Sequence, residues 1–422
     1  MKKFAIVFTA LMAVLVALSV VAEPGKLLVG AGKVEIRPPQ KAALAGYGAR
    51  GLNNLYTGTH DPIYARALIF ETGGKRVAFV NSDTLMVLKE LRAELIDRVK
   101  DLKIDYLALA ATHTHNSMGS YINDPMVEIA VTGKYRPEAH QALVVALEAA
   151  VRQAAGAMQP AKIGAAVGPV SAGGVNRRHE GGPIDQTIRV FGIWGEDGKL
   201  RAAIMNHGIH PTTMGEDNLL ISGDNAGRAE ATLEQKNPGA IAMFLNSGLG
   251  DQGAGGDNFG EGWDRVAGIG DAMANAADGL LQTITPTDQV EMALYRRTFE
   301  MPPVKLRWAY ECFGGLSPVM KQVGHKLMRS EGEVAAVGFN NAFFLFSSGE
   351  IANGEQVAIE KTAPAGTIPI VVSHANDWYG YILLPDDYAQ GGYESCMNLY
   401  GQDFGNLYPA EFGMMVKNGP VK

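Results

Sequence analysis

Asp105-Tyr-Leu-Ala-Leu-Ala-Ala-Thr-His-Thr-His115 is the stretch on which both the architecture and the chemistry of this chain turn. Its apolar half, Asp105 to Ala111, reads as a buried strand. Side chains alternate faces along a strand, so His113 and His115 are expected to point the same way, where the chain opens into the polar segment Asn116-Ser-Met-Gly-Ser120. Two imidazoles converging at a strand end suit a metal or a proton-transfer site. The bland alternative is one packing histidine beside one solvated one.

Outward from that strand, helices and strands alternate. Upstream, Lys26 to Ile36 reads as a first strand, and Ala67–Glu71 and Arg76–Asn81 form a hairpin about the Gly73-Gly74 turn. Thr84 to Leu102 carries leucines at helical spacing. Downstream, Pro137 opens a helix to about Ala157. A second hairpin, Thr187–Trp194 and Lys199–Asn206, delivers His207-Gly-Ile-His210-Pro211. A strand from Ala240 to Leu245 leads into a loop dense in glycine, Gly248 to Gly262, then a helix through Leu281. Past Thr283–Asp288 come a new strand, the strand Phe343–Phe346, a helix over Asn353–Lys361 and a strand over Ile368–Ser373. Hairpins among alternating helices and strands predict an α/β fold of mixed β-sheets flanked by helices. The reading is one domain over residues 23–422, with a sub-boundary near 283–288.

Lys2-Lys3, an apolar stretch from Phe4 to Val21 and the small residues ending at Ala22 read as a secretory signal over residues 1–22. The competing reading is an uncleaved anchor, since the stretch sits at the lower length limit for crossing a bilayer. No later segment is apolar enough to span, so the mature chain is expected to be soluble and secreted or periplasmic. A net charge of −7 without a basic stripe excludes nucleic acid as a partner. Cys312 and Cys396 are the only cysteines; an oxidising compartment allows them one disulfide, and two buried free thiols are the alternative.

Gly248-Leu-Gly-Asp-Gln-Gly253 satisfies a dinucleotide fingerprint, but more glycine and aspartate follow where a helix should start, so the reading is rejected. Gly30-Ala-Gly32 lacks a third glycine and is weaker still. Glycine at this density suggests instead a backbone that packs tightly or approaches a ligand, against the plain alternative of a mobile surface loop. His210 ends a strand before Pro211, Glu350 follows the strand through Ser348, and Tyr379-Gly-Tyr381 lies just past another. Two histidines and a carboxylate form a catalytic zinc set with a place open for water. A tyrosine oxygen is an unusual further ligand that spacing alone would not select. No H-E-x-x-H helix and no G-x-S-x-G elbow are present, which excludes a zincin and leaves a serine hydrolase without support.

Taken in order, Ala111-Thr-His-Thr-His115, Val175-Asn-Arg177, His210-Pro-Thr212, Ser222-Gly-Asp-Asn-Ala-Gly227, Gly349-Glu350, Asn376 to Tyr381, Asp386-Asp-Tyr388 and Tyr393-Glu394 resemble the catalytic domain of the neutral/alkaline non-lysosomal ceramidases, over about residues 28–405. The resemblance implies a zinc ion held by His113, His210, Glu350 and Tyr381. It implies Arg177 and Tyr393 holding the scissile group and His115 close to the metal, where an imidazole of ordinary pKa about 6.5 suits a proton carrier to the leaving amine. The expected reaction is hydrolysis of an amide bond in an N-acylated, ceramide-like or other lipid substrate. Two departures stand out. Gly253 occupies the place of a serine that the family uses as nucleophile or to position water, with Ser247 or Ser222 as the alternative hydroxyls, and a chain ending at Lys422 is expected to lack the family's C-terminal β-sandwich. The alternative is a relative that binds metal without turnover, or one that cleaves esters or phosphoesters.

Overall fold

The computed structural model describes residues 25–255, 257–305, 307 and 328–421. The expected signal segment and Cys312 lie outside these residues; Cys396 is disulfide-bonded. The first half of the chain builds one large sheet. Strands β1 (Leu28–Ile36), β2 (Ile63–Thr72) and β3 (Lys75–Ser82) precede helix α1 (Lys89–Arg98), and β4 (Tyr106–Ala111) precedes α2 (Pro137–Gly156). Next come β5 (Gln159–Pro169), β6 (Thr187–Gly195), β7 (Leu200–His207), α3 (Asp224–Lys236), β8 (Ile241–Asn246) and α4 (Gly262–Leu281). The eight strands lie in the order β8-β7-β6-β5-β1-β2-β3-β4. Both expected hairpins, β2/β3 and β6/β7, are antiparallel, whereas β3/β4 and β7/β8 run parallel across the crossovers that contain α1 and α3.

A smaller sheet follows, β9 (Met292–Glu300), β10 (Glu331–Phe339), β11 (Ala342–Phe346) and β12 (Ile368–Val372), paired in that order. Helix α5 (Asn353–Glu360) joins the parallel strands β11 and β12, and α6 (Phe404–Asn418) packs on β9 and β10. The two sheets stack through phenylalanines: Phe79 lies 5.0 Å from both Phe344 and Phe346, and Phe70 lies 4.8 Å from Phe339, ring centre to ring centre. All five rings are buried, and each such burial contributes about 2–3 kcal/mol. Residues 283–288 carry the chain from α4 toward β9, and Thr287 bridges back to Ile163 of β5, so residues on both sides of that segment share one core. Helix α2 lies on the outer face of β1. A Cβ at Gly30 would stand 1.9 Å from the Ala154 carbonyl oxygen and one at Gly32 2.2 Å from that of Ala150. The weak glycine motif is therefore the contact surface of a helix.

Two parts of the sequence reading change. The helix expected over Thr84–Leu102 is confined to Lys89–Arg98, because Leu85 to Leu88 run as a buried lead-in whose Leu85 carbonyl is used by the site below. Strands β5 and β10 and helices α3 and α6 were not expected at all. Strand β5 is short of large apolar residues, and α6 carries Pro409 within it. The carboxyl ends of the parallel pairs β3/β4, β7/β8 and β11/β12 meet. Asn246 Nδ2 donates to the Thr112 carbonyl past β4, and the Ser373 amide past β12 donates to the Asn246 carbonyl of β8. Crevices at the carboxyl ends of parallel strands are where α/β sheets place their ligands. No helix among the described residues is long and apolar enough to cross a membrane.

Candidate active site

The strand that opens the site ends one residue early for the alternation argument. β4 stops at Ala111, and His113 sits in left-handed backbone at φ +63°. Strand periodicity therefore does not orient the two histidines, yet their Nε2 atoms meet 3.2 Å apart. Each is fixed by its surroundings. His113 Nδ1 bonds the Leu85 carbonyl at 2.7 Å, which leaves Nε2 facing inward. The His115 amide donates to the Pro211 carbonyl, and its own carbonyl accepts from Arg50 Nη1. Gly46 makes room for this turn, since a Cβ there would lie 2.5 Å from the Cβ of His115.

His210 is wholly buried after β7, and its Nδ1 bonds the carbonyls of Leu249 and Gln252 at 2.7 and 3.2 Å. The glycine-dense loop is thus neither a nucleotide cradle nor a surface flap at this point: residues 248–252 are buried, and their carbonyls orient an imidazole. Its α4 begins only at Gly262. Glu350 starts a two-residue parallel ladder with Tyr381–Ile382, in which Glu350 and Tyr381 are direct neighbours. Trp378 Nε1 reaches Glu350 Oε1 at 3.3 Å. Arg177 follows a ladder between Gly174–Asn176 and Gln252–Ala254, and its Nη2 donates to the Tyr381 hydroxyl at 2.9 Å and to the Gly250 carbonyl at 2.7 Å.

Glu350 Oε2 lies 3.5 Å from His113 Nε2 and 3.4 Å from His210 Nε2. These separations exceed the 2.7–2.9 Å of charge-assisted hydrogen bonds. They match a shared ion, because tetrahedral bonds of 2.0–2.1 Å hold donors about 3.3 Å apart. Glu350 Oε2 and His210 Nε2 are also buried without a hydrogen-bond partner among the described residues. The donor chemistry and the spacing fit a divalent ion. The rings of His113 and His210 are 4.9 Å apart, centre to centre, with a 70° angle between them, and Glu350 is 4% exposed.

Burial pushes His210 down to about 3, with Arg177 adding to the effect, and burial likewise drives His115 well below the usual histidine range. Burial alone would raise Glu350, but His113 and His210 outweigh it and hold the carboxyl well below its usual range. Tyr381 is raised, mainly by burial, although Arg177 opposes. Burial lowers Arg177, but Tyr381, Glu394 and Glu350 outweigh that and keep it charged. These pairings leave His115 and His210 neutral, Glu350 a carboxylate and Arg177 a guanidinium at one point.

The site forms one end of an apolar cavity of about 400 Å³ walled by Met86, Met126, Val127, Val131, Met397 and Leu399. Tyr393 lines it with over half its surface exposed, its ring 5.7 Å from that of Tyr381. All seven residues expected from the sequence, His113, His115, Arg177, His210, Glu350, Tyr381 and Tyr393, thus gather here. Sequence reading missed His374, stacked on His113, and Glu394, which pairs with both Arg177 and Arg178. It also missed Arg50, whose guanidinium donates to six neutral acceptors among the described residues. Ser222 bonds Asp61 and Ser247 is buried; neither lines the cavity. At Gly253 no side chain is available.

Known proteins share this fold. The solved structure "Ceramidase complexed with C2" superposes with a TM-score of 0.79 at 20% identity, over 94% of this chain and 76% of that one. Neutral ceramidase from Pseudomonas aeruginosa superposes at 0.77 and 21%, with the same coverage. In sequence, neutral ceramidase from Pseudomonas aeruginosa is 28% identical over 270 residues, 58% of this chain and 40% of that protein. Neutral ceramidase from Drosophila melanogaster is 26% identical over 254 residues, 53% of this chain and 35% of its own length. The aligned stretch therefore spans well under half the length of these two relatives. The family model described as "Neutral/alkaline non-lysosomal ceramidase, N-terminal" matches residues 27–255, more than half of the chain, and the chain belongs to that family.

Proposed function

We propose that this protein is an exported zinc-dependent hydrolase that cleaves the amide bond of an N-acylated lipid. The observation that carries the reading is one carboxylate oxygen, Glu350 Oε2, set 3.4–3.5 Å from two imidazole nitrogens at the end of an apolar cavity of about 400 Å³. His113, His210, Glu350 and Tyr381 would hold the ion. Zinc, when bound, supplies a Lewis acid that polarises a carbonyl and lowers the pKa of water to about 7. The cavity takes the acyl chain and excludes water along it, leaving the amide at the polar end. Arg177 and Tyr393 donate to the carbonyl oxygen as negative charge develops there. His115, neutral at the start, carries a proton to the departing amine. Water adds to the acyl carbon, the C–N bond breaks, and a fatty acid and an amine leave. None of these steps needs the hydroxyl that Gly253 lacks. Export rests on the residues ahead of Glu23.

The test is release of fatty acid from N-acyl amides by purified protein, with acyl esters and phosphoesters alongside and a chelator in parallel. Chelator-sensitive amide cleavage supports the proposal. Metal binding without turnover on any substrate overturns it in favour of a binding protein, for which Gly253 is the favouring feature.

The 3.2 Å contact between His115 and His113 supports a second reading, in which His115 is itself a donor to the ion, since both belong with His210 to one compact donor group. Zinc content of His115→Ala separates the two: a proton carrier leaves the ion in place, a donor does not.

A further inference from the structure

We infer that His374 is a positioning residue for the metal-binding face: its ring backs that of His113 and fixes the plane in which His113 presents Nε2. The inference rests on the metal-site reading above and adds a residue to it. His113 meets His115 and His210 at steep angles, 84° and 70°, with ring centres 4.8 and 4.9 Å apart, as rings aimed at a common point do. His374 differs. Its ring is stacked on His113 at 3.9 Å with only 21° between the planes. A lone pair lies in the plane of its ring, and two planes stacked 3.9 Å apart do not meet on one ion at bonding distance. His374 therefore backs His113 rather than sharing its ion, although one of its nitrogens lies within 4.8 Å of ligand atoms on His113 and Glu350.

Packing alone does not account for a histidine here. The ring is fully buried, and neither nitrogen has a hydrogen-bond partner among the described residues. Burying an unmatched polar atom costs about 1–3 kcal/mol, a penalty that an aliphatic group of similar volume avoids but without a ring face to lay against His113. The backbone at His374 is also left-handed, at φ +52°, which a residue with a Cβ adopts only when its surroundings impose it. They do so from two sides. The His374 amide donates to the Gly349 carbonyl at 3.2 Å, and the Ala375 amide donates to that of Ser347 at 3.0 Å, which ties the segment to the turn carrying Glu350. Ala375 bridges Ala110, and Asn376 exchanges two hydrogen bonds with Leu109, which ties it to the strand leading to His113. His374 thus sits on the physical link between two of the donors. An imidazole bound to a divalent cation gains positive character, and the face of a neutral ring behind it favours that form.

The test uses the whole protein, stripped by a chelator and titrated with zinc against a competing indicator. Cobalt absorption of the loaded protein and the melting temperature of the stripped protein are recorded beside it. His374→Ala is expected to weaken zinc binding about 10–100-fold and to alter the cobalt spectrum. His374→Phe keeps a ring behind His113 and is expected to stay within about threefold of wild type. If His374→Ala does not fold, His374→Leu, which fills the volume without a ring face, takes its place with the same expected loss. Unchanged affinity and spectrum in the ringless variant overturn the inference, as does a loss in His374→Phe equal to that in His374→Ala. A wild type that binds no zinc sinks the metal-site reading itself, a result distinguishable from either.

Discussion

Acid should destabilise the chelator-stripped protein, and His210 should account for a measurable share of the loss. In the unfolded chain the imidazole titrates at about 6.5, whereas in the folded protein burial and Arg177 bring it to about 3. Between those values the unfolded state binds a proton that the folded state refuses. Stability from this group is therefore complete above about pH 6.5 and is lost as pH falls toward 3. Each pH unit in that window costs about 1.4 kcal/mol, so pH 4.5 should remove about 2–3 kcal/mol through His210 alone. His115, His207 and His374 are shifted downward for the same first reason, burial, and deepen the total loss. His210→Asn isolates the share, because an amide can still donate to the Leu249 carbonyl but does not titrate. Urea unfolding of both stripped proteins at about pH 7.5 and pH 4.5 gives the four stabilities needed. The loss between the two pH values should be about 2–3 kcal/mol smaller in His210→Asn. An equal loss in both proteins would refute a neutral His210 in the folded state.

Glu350→Gln removes the only carboxylate among the four proposed donors while keeping its volume, so zinc bound after dialysis, measured by elemental analysis, should fall from about one equivalent to under a tenth. An acyl-length series should show specificity rising by about 0.8 kcal/mol, roughly fourfold, per methylene until the cavity is filled, and Ala130→Phe on its wall should move the plateau to shorter chains. Gly253→Ser should fold with a melting temperature close to wild type, because a Cβ there meets nothing nearer than Val175 Cγ2 at 3.4 Å. By contrast Gly32→Ala, whose Cβ would stand 2.2 Å from the Ala150 carbonyl oxygen, should cost about 2–3 kcal/mol in urea unfolding.

What could be read from the residues follows a physical division. His113, His210 and Glu350 are visible because each is a ligand-type side chain just past an apolar strand, and in a sheet with parallel neighbours those ends come together. Tyr381 also lies just past a strand, but a tyrosine oxygen is a ligand that spacing alone does not select; the family resemblance selected it, and its reason appears in the register that sets it beside Glu350. The directions of the side chains were not legible, because they depend on loop backbone. His113 and His374 both stand in left-handed conformations that no pattern of apolar residues encodes. The same holds for Arg50, whose buried charge is balanced by carbonyls of three separate loops and an asparagine rather than by an acid in its own segment. The glycine-dense loop shows the limit most sharply. Its composition announced that backbone would come close to something, and the something is the Nδ1 of His210, held by the carbonyls of Leu249 and Gln252. With that nitrogen occupied as a donor, only Nε2 is left with a lone pair, and it faces the carboxylate of Glu350. A loop without one catalytic side chain thus decides which atom of His210 can bind an ion, so changes there should act on metal affinity before they act on fold.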